Sequence, residues 1–458
     1  MVSNEREYSG ETLRRWDEEF VWHPFTPHSV YGDEEPLMVV AGDGHYLVDA
    51  EGRRFLDGVG SIWCNLFGHR RAEIDAAVGE QLEHIAHSTL LGNSNDRPVI
   101  LAKRLLEWAP ENLGKVFFSD NGSTSVEIAM KMALQFWQQQ GDEGEKKRTK
   151  FMGLANAYSG DTIGAVSIGG IDLFHSRFGP MLFETVRGPS PVTYHRAPGV
   201  SREEAEQAFE AGFEEVLERY GDELAAVVIE PGMQGAGGMI TYPEGFLARA
   251  AAKVREAGAL LILDEVAMGM GRSGEMFACQ REGVEPDFLC VAKGLTGGYV
   301  PVAATLATDR VYEAFLGPPE EGRTFFHGHT FTGNALGCAA ALATLGIFEE
   351  EPILEEVRRK EGVLARLLEP LYELEYVGDI RHYGLAVGVE LMADRASRTP
   401  FDGAQRVGMQ VCTAARESGV FLRPLGDVIV LMPPLTITDE ELAQLVKAIA
   451  DGVTAVLG

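Results

Sequence analysis

Two apolar runs that each end in a charged residue constrain the fold of this chain more than any other feature. The first run, Ala259–Leu263, ends in Asp264, and the second, Phe288–Ala292, ends in Lys293. Apolar runs of this length, bounded by polar residues, are typical of strands buried in a parallel sheet. Because ligands bind outside the carboxyl ends of such strands, we expect the two opposite charges in one crevice.

An acid and a lysine in one crevice suit a particular chemistry. Pyridoxal phosphate is attached to its enzymes through a lysine, and an acid beside its pyridine nitrogen keeps the ring protonated. A released lysine can also carry a proton between substrate and cofactor carbons. A salt bridge between strand ends would explain the two residues equally well, so other motifs must decide between the two interpretations.

The composition indicates a large globular protein. The chain has 458 residues, of which 45% are hydrophobic, and this length is typical of two to three domains. Its net charge of -29 (40 basic minus 69 acidic residues) argues against nucleic acid or an anionic membrane as a partner. The five scattered cysteines indicate neither a disulfide framework nor a zinc site. With no signal peptide and no membrane-length apolar run, we expect a cytoplasmic protein.

Helix and strand patterns alternate from about residue 75, which predicts a doubly wound α/β domain with a mostly parallel sheet. A helix that starts near Pro243 and ends at Gly258 leads into the Asp264 strand, and Ala226–Ile229 is another buried strand. Residues 37–57 alternate like hairpins. From about residue 340, charged helical stretches precede further strands, which indicates a separate α+β lobe.

A polar turn after Phe117–Phe118 is a candidate phosphate site. The pair Thr124 and Glu127 fits a capping box at the start of a helix, and Gly122 and Ser123 lie just before it. Free backbone amides at such a helix start suit a phosphate dianion. An ordinary capped helix is the alternative.

Two further motifs have weaker functional interpretations. Gly269–Gly274 matches the dinucleotide pattern GxGxxG, but several residues separate it from the preceding strand, which favours a loop. His327 and His329 could form half a metal site, yet no carboxylate or cysteine stands at ligand spacing beside them. We therefore predict no metal.

The motifs taken together resemble the class III aminotransferases. The family signature corresponds to Ile262–Gly274 followed by Asp287–Gly294, and the resemblance runs from about residue 20 to the end of the chain. Further segments resemble the branch that makes 7,8-diaminononanoate: Trp22–Thr26, Met130–Trp137, Tyr158–Thr162, Glu230–Met239, His327–Asn334, and Arg423 with Met432–Pro434.

This resemblance implies the fold-type-I architecture, an α/β fold with a large doubly wound domain and a smaller α+β domain built from both chain ends. We expect residues 76–338 in the large domain and residues 1–75 and 339–458 in the small one. It also implies a homodimer whose active sites lie at the subunit interface, with pyridoxal 5'-phosphate as cofactor and small molecules as substrates.

The resemblance also implies residue roles around the cofactor. Lys293 matches the Schiff-base lysine and Asp264 the partner of the pyridine nitrogen. Val266 and Tyr158 match the residues on the two ring faces, and simple core positions are the alternative for both. The remaining cofactor residues that match are Gly122 and Ser123 at the phosphate and Thr330, a phosphate contact from the neighbouring subunit.

On the substrate side, Arg423 matches the arginine that binds the substrate carboxylate, for which a bidentate guanidinium is well suited. Trp63 matches an aromatic residue of the substrate tunnel, and Glu230 and Gln234 match polar residues behind it. Phe25 stands where members that use S-adenosylmethionine carry tyrosine, and Cys64 where they carry a second tryptophan. These two differences favour lysine as the amino donor.

The expected reaction is therefore transamination of 8-amino-7-oxononanoate to 7,8-diaminononanoate on the biotin pathway, with lysine or S-adenosylmethionine as donor. Three alternatives stay open. The first is another ω-aminotransferase of the same family, acting on a diamine, ω-amino acid or amine. The second is a dinucleotide-binding module that uses Gly269–Gly274. The third is a protein that binds pyridoxal phosphate without turnover.

Overall fold

The computed structural model describes residues 8–140, 142–197 and 199–458. Helices and strands alternate through the middle of the chain. The strands are β1 (Val39–Asp43), β2 (Tyr46–Asp49), β3 (Arg54–Asp57), β4 (Leu113–Ser119), β5 (Lys150–Leu154), β6 (Val186–Gly188), β7 (Leu224–Ile229), β8 (Met233–Gln234), β9 (Ile240–Thr241), β10 (Leu260–Asp264), β11 (Phe288–Val291), β12 (Ala303–Thr308), β13 (Val377–Tyr383), β14 (Ala386–Leu391), β15 (Val420–Phe421), β16 (Arg423–Leu425) and β17 (Val428–Leu431).

The helices surround these strands. They are α1 (Gly10–Phe20), α2 (Gly60–Trp63), α3 (Ala72–His84), α4 (Asp96–Trp108), α5 (Gly122–Gln138), α6 (Ile163–Ile168), α7 (Asp172–His175), α8 (Arg202–Tyr220), α9 (Phe246–Glu256), α10 (Asp309–Glu313), α11 (Ala335–Glu350), α12 (Ile353–Leu368), α13 (Val407–Ala414) and α14 (Asp439–Leu457). Within the described residues, no helix is both long enough and apolar enough to cross a membrane.

The central sheet has seven strands in the order β4-β12-β11-β10-β7-β5-β6. The strands from β11 to β6 are parallel, whereas β12 runs antiparallel to both of its neighbours. Every residue of β7, β10 and β11 is buried, because helices cover both faces. The structure confirms the predicted α/β fold with a mostly parallel sheet.

The sheet brings the two charged strand ends together. Strands β10 and β11 are parallel neighbours, and Asp264 pairs in register with Cys290. Lys293 follows β11 by two residues, so both side chains lie at the same edge of the sheet. The predicted helix before β10 is also present, since α9 buries Phe246, and Gly258 ends it in the left-handed region with φ of 72°.

The start of α5 differs from the expectation. The N-cap is Asn121, not Thr124, and its side chain accepts a hydrogen bond from the Thr124 amide at 3.0 Å. Thr124 closes the capping box as the third helical residue. The predicted box partner, Glu127, instead accepts hydrogen bonds from the 162–165 segment. Asparagine is as good an N-cap as threonine, and here it lies closer to the strand.

Two smaller sheets involve the chain ends. One has the order β1-β2-β3-β15, so a strand from the first 60 residues pairs with one from the last 40. The other is antiparallel, with the order β13-β14-β17-β16. The shared sheet supports the predicted small domain formed by both ends, while the exact boundaries stay a prediction.

Candidate functional site

A cavity of about 1280 Å³ opens at the carboxyl edge of the central sheet. It contains nearly all of the predicted site residues. Those lining it are Phe25, Trp63, Gly122, Ser123, Tyr158, Glu230, Asp264, Val266, Lys293 and Arg423. Thr330 does not line this cavity and is exposed. Gln234 is completely buried behind the cavity, where its amide donates to the Ala155 carbonyl at 3.1 Å.

Asp264 and Lys293 form the charged floor of the cavity. Burial raises the pKa of the Asp264 carboxyl, an effect that the nearby Lys293 ammonium opposes. Burial lowers the pKa of Lys293, and here Asp264 opposes the effect. The Val266 amide donates to Asp264 Oδ1 at 3.1 Å, which fixes the carboxylate. The attraction between the two charges therefore offsets part of the cost that burial adds to the ionised form of each group.

Trp63 covers the amine of Lys293. The Lys293 Nζ lies 4.9 Å from the centroid of the Trp63 ring, within the range of a cation–π contact. Trp63 belongs to a left-handed turn, because residues 60–63 all have φ between 49° and 71°. Lys293 itself has φ of 40°. Left-handed backbone costs roughly 1–2 kcal/mol for each residue other than glycine, so strain is concentrated where these two segments meet.

The start of α5 forms a cradle in the cavity wall. A Cβ on Gly122 would lie 2.5 Å from Val266 Cγ1, so only glycine fits against that side chain. Gly160 has φ of 114°, and a Cβ there would lie 2.3 Å from Ser123. The Ser123 hydroxyl accepts a hydrogen bond from the Thr162 amide at 2.9 Å. Gly122 and Ser123, the first two residues of α5, line the cavity, and backbone amides at a helix start bind anions.

Tyr158 and Glu230 stand on the opposite wall. The Tyr158 hydroxyl donates to Asp161 Oδ2 at 2.8 Å, and its ring lies parallel to that of His175 at 6.3 Å. Glu230 accepts hydrogen bonds from the amides of Tyr158 at 3.0 Å and Gly235 at 2.9 Å. Burial, reinforced by the Asp264 charge, raises the pKa of Glu230 to about 8. Glu230 therefore fixes the backbone that carries Tyr158.

The mouth of the cavity carries two arginines from the C-terminal part of the chain. Arg423 is exposed and has no ion-pair partner within the described ranges. Arg406, which no sequence motif predicted, is ion-paired with Glu34. Phe25 is 54% exposed and meets the Phe174 ring edge to face at 5.2 Å. No local pattern marks Arg406, because its place depends on a distant part of the chain.

The two weaker motifs do not form the sites considered for them. Gly269–Gly274 is a turn with no helix directly after it, and a Cβ on Gly271 would lie 2.7 Å from the Phe348 ring. These glycines therefore allow close packing, which argues against a dinucleotide site. His327 Nδ1 lies 2.8 Å from Lys131 Nζ. The part of the chain that the structure describes holds no cluster of metal-binding side chains.

Comparisons with known proteins agree with this geometry. Residues 29–453 match the family model described as aminotransferase class-III. A relative from Geobacter sulfurreducens, called adenosylmethionine-8-amino-7-oxononanoate aminotransferase, is 51% identical over 99% of both chains. The crystal structure of the protein of that name from Methanocaldococcus jannaschii is 42% identical, with a TM-score of 0.92 over 98% of this chain and 100% of that one. An amine transaminase from an uncultivated Pseudomonas species, crystallised in a PLP-bound form, is 37% identical, with a TM-score of 0.89 over 95% and 99% of the two chains.

Proposed function

The chain belongs to the class III aminotransferases, and we propose that it transfers an amino group to 8-amino-7-oxononanoate, giving 7,8-diaminononanoate for biotin synthesis. The observation that carries the proposal is the cavity itself. It joins the half-buried Lys293 and the buried Asp264 at its floor to Arg423 at its mouth, within a chain that matches its relatives along nearly its whole length. We also propose that the protein is located in the cytoplasm.

The residues present fit pyridoxal 5'-phosphate. The glycine-lined start of α5 suits the phosphate, and Val266 and Tyr158 offer apolar and aromatic surface to a ring. Lys293 offers an amine for covalent attachment, and Asp264 offers a carboxylate for a ring nitrogen. When bound, this cofactor supplies a ring that accepts the electron pair of the bond broken at the amine carbon.

The chain's own residues would position the reactants and move the proton. Asp264 is fixed by the Val266 amide and would hold a proton on the ring nitrogen. Burial favours the neutral form of the Lys293 amine, as a base needs, and Asp264 keeps the protonated form accessible. The Trp63 ring lies against this amine and would restrict where it can move.

Arg423 would select the substrate. An exposed guanidinium without a carboxylate partner is available for the carboxylate of an amino-oxo acid, which it can bind through two parallel hydrogen bonds. The cavity between Arg423 and Lys293 is lined mostly by apolar side chains such as Phe25, Leu425 and Val430, which suit an aliphatic chain. A substrate with an amine at one end and a carboxylate at the other therefore fits the cavity, with the amine at Lys293 and the carboxylate at Arg423.

We also propose that the active form is a homodimer with its sites at the interface. Thr330 lies outside the cavity of its own chain and is exposed, as a residue that serves a partner's site would be. Trp22, Phe326 and Phe331 are exposed by 91%, 82% and 60%, and large exposed aromatic side chains of this kind are typical of interfaces. Light scattering of the purified protein tests the dimer directly.

The deciding experiment adds 7,8-diaminononanoate to protein loaded with pyridoxal phosphate and follows the yellow absorbance. Loss of the yellow band supports the proposal without any choice of donor, because this is the reverse of the acceptor half-reaction. If 7,8-diaminononanoate leaves the band unchanged while 1-phenylethylamine removes it, the chain is an amine transaminase instead, which the 37% identity to such an enzyme makes the second candidate.

The amino donor stays a prediction. The relatives' name contains adenosylmethionine, which supports that donor, whereas Phe25 and Cys64 favour lysine. Both side chains line the cavity, so either can influence the choice. Single half-reactions of the loaded enzyme with lysine and with S-adenosylmethionine, followed by the same absorbance, separate the two.

A further inference from the structure

We infer that Asp57 is a positioning residue of this aminotransferase: by holding the left-handed turn at residues 60–63, it keeps the Trp63 ring against the amine of Lys293. The inference rests on the proposed use of Lys293. It does not depend on which amine the enzyme accepts, so it can be tested separately from the proposed substrate.

The turn needs an external support. Ser61, Ile62 and Trp63 have φ values of 49°, 64° and 71°, three consecutive L-residues in a region that favours glycine. The turn is closed by hydrogen bonds from the Trp63 amide to the Val59 carbonyl at 2.8 Å and from the Cys64 amide to the Gly60 carbonyl at 3.0 Å. Such a backbone persists only where its surroundings determine it.

Asp57 supplies that support at the end of β3. It is completely buried, and its Oδ2 accepts a hydrogen bond from the Ser61 hydroxyl at 2.8 Å. The same oxygen lies 3.2 Å from His69 Nε2, and His69 Nδ1 lies 3.0 Å from the Asn65 amide nitrogen. A proton on His69 Nε2 satisfies both contacts, with Asn65 donating to Nδ1. The Asp57 carboxylate thus holds the turn directly at Ser61 and, through His69, at Asn65 just after it.

The turn connects this carboxylate to the reaction centre. Trp63 is 9% exposed, and a Cβ on Gly235 would lie 3.0 Å from its ring, so the ring is confined on that side. The centroid of the same ring lies 4.9 Å from the Lys293 amine. If the turn relaxes to ordinary backbone, the Trp63 side chain must leave this position. Asp57 touches neither the cavity nor Lys293 and acts through Trp63.

The first test measures the turn without any catalysis. Cys64 donates from its thiol to the Ser61 carbonyl at 3.1 Å, and it is half-buried, whereas the other four cysteines are buried. Opening of the turn therefore exposes Cys64 to an aromatic disulfide reagent. We expect labelling of cofactor-free Asp57→Ala to be at least tenfold faster than labelling of the wild type. The Asp57 charge also raises the pKa of the Cys64 thiol, so Ser61→Ala, which keeps that charge, must speed labelling several-fold as well.

Asp49 provides the matched control. It is also completely buried, lies in the same sheet, and holds a turn through the amides of Arg53 at 2.8 Å and Glu51 at 3.0 Å, but it is remote from the cavity. Labelling of Cys64 in Asp49→Ala should stay within twofold of the wild type. Equal rates in the Asp57 and Asp49 variants would overturn the inference. If Asp57→Ala does not fold, Ser61→Ala removes a single hydroxyl and should still speed labelling several-fold.

The second test separates positioning from mere stability. In the loaded enzyme, Asp57→Ala should lower kcat tenfold to a hundredfold and leave KM within threefold, while Asp57→Asn, which keeps an acceptor for Ser61, should recover most of the loss. In a Trp63→Ala background, Asp57→Ala should lower kcat no further, because its effect passes through Trp63. If the losses in kcat of the two single variants multiply in the double variant, Asp57 does not act through the Trp63 ring.

Discussion

The floor and the mouth of the cavity are built in opposite ways. At the floor, Asp264 and Lys293 extend from buried strands of the central sheet and compensate each other's charge. At the mouth, Phe25 and Arg423 are exposed and come from segments near the two chain ends. Groups that need a fixed geometry lie at the ends of buried strands, whereas groups that select a ligand lie on exposed segments. Changes at the floor should therefore abolish chemistry, and changes at the mouth should alter preference.

The largest effect should come from Lys293→Ala. No other lysine lines the cavity among the described residues, so the variant loses the amine that would carry the proton. We expect no transamination above background, a loss of at least three powers of ten. Lys360, which is buried outside the cavity, donates to the Leu435 carbonyl at 3.0 Å. Lys360→Ala should lower the melting temperature but keep kcat, and normal turnover in Lys293→Ala would refute the role of the floor.

Asp264→Asn should have the next largest effect. The amide cannot hold a proton on a ring nitrogen as a carboxylate does, so we expect the cofactor to bind and kcat to fall by several powers of ten. Asp287 is the matched control, because it lies at the opposite edge of the same strands and accepts from the Leu261 amide at 2.9 Å. In stopped-flow measurements of the half-reaction, Asp287→Asn should keep a rate near that of the wild type, whereas Asp264→Asn should be far slower. Equal rates for Asp264→Asn and the wild type would contradict the role of Asp264.

The contrast between floor and mouth also explains which parts the sequence could predict. The apolar runs before Asp264 and Lys293 determine two buried strands, and parallel pairing then places both side chains at one edge. The apolar pattern that predicts these strands also predicts where their terminal charges lie, so the local sequence was sufficient to predict the pair. Arg406 reached the cavity through a contact with Glu34, more than 370 positions away, and no local pattern encodes such a contact.

Three further features show where local rules fail or were not applied: the turn at Ser61 and Ile62, the residue Asp57 and the start of α5. Ser61 and Ile62 adopt left-handed backbone against their own preference, because Asp57 and the surrounding core hold them there. Asp57 itself did carry a signal, since Arg54–Asp57 is a strand that ends in a carboxylate, as β10 does. The start of α5 was misplaced because both Asn121 and Thr124 are acceptable caps, and only the observed contacts choose between them.

Arg423→Ala should show that the mouth acts on binding. Loss of a charge-assisted hydrogen bond of about 1.5–3 kcal/mol corresponds to a KM for the keto acid that is roughly tenfold to a hundredfold higher. The kcat should change little, and so should the KM for an amine without a carboxylate. Arg406→Ala should raise KM less, because Arg406 is already paired with Glu34. A uniform effect on all substrates would make Arg423 a structural residue.

The pH dependence of stability should differ between the buried wall of the cavity, at Glu230, and the exposed mouth, at Arg423. Burial raises the pKa of Glu230 from 4.5 in the unfolded chain to about 8, so the folded protein binds the extra proton between these values. The free energy of unfolding should therefore fall as pH rises from about 5 to 8, by at most about 1.4 kcal/mol per pH unit. In urea unfolding of cofactor-free protein, Glu230→Gln should flatten this slope. Arg423→Ala should leave it unchanged, and an unaltered slope in Glu230→Gln would show that this carboxyl does not hold the proton.

The smallest effect should come from Phe25→Tyr, which tests whether the mouth chooses the amino donor. Phe25 is 54% exposed beside Phe174, so an added hydroxyl fits without repacking the core. One new hydrogen bond contributes about 1 kcal/mol, which corresponds to a preference for S-adenosylmethionine over lysine that rises about fivefold. The measurement is the ratio of the two half-reaction rates, with Phe20→Tyr, at an exposed position outside the cavity, as control. An unchanged ratio would show that Phe25 does not choose the donor. Cys64 would then be the remaining candidate, and because its thiol bonds to the turn that Asp57 holds, that turn would affect donor specificity as well as rate.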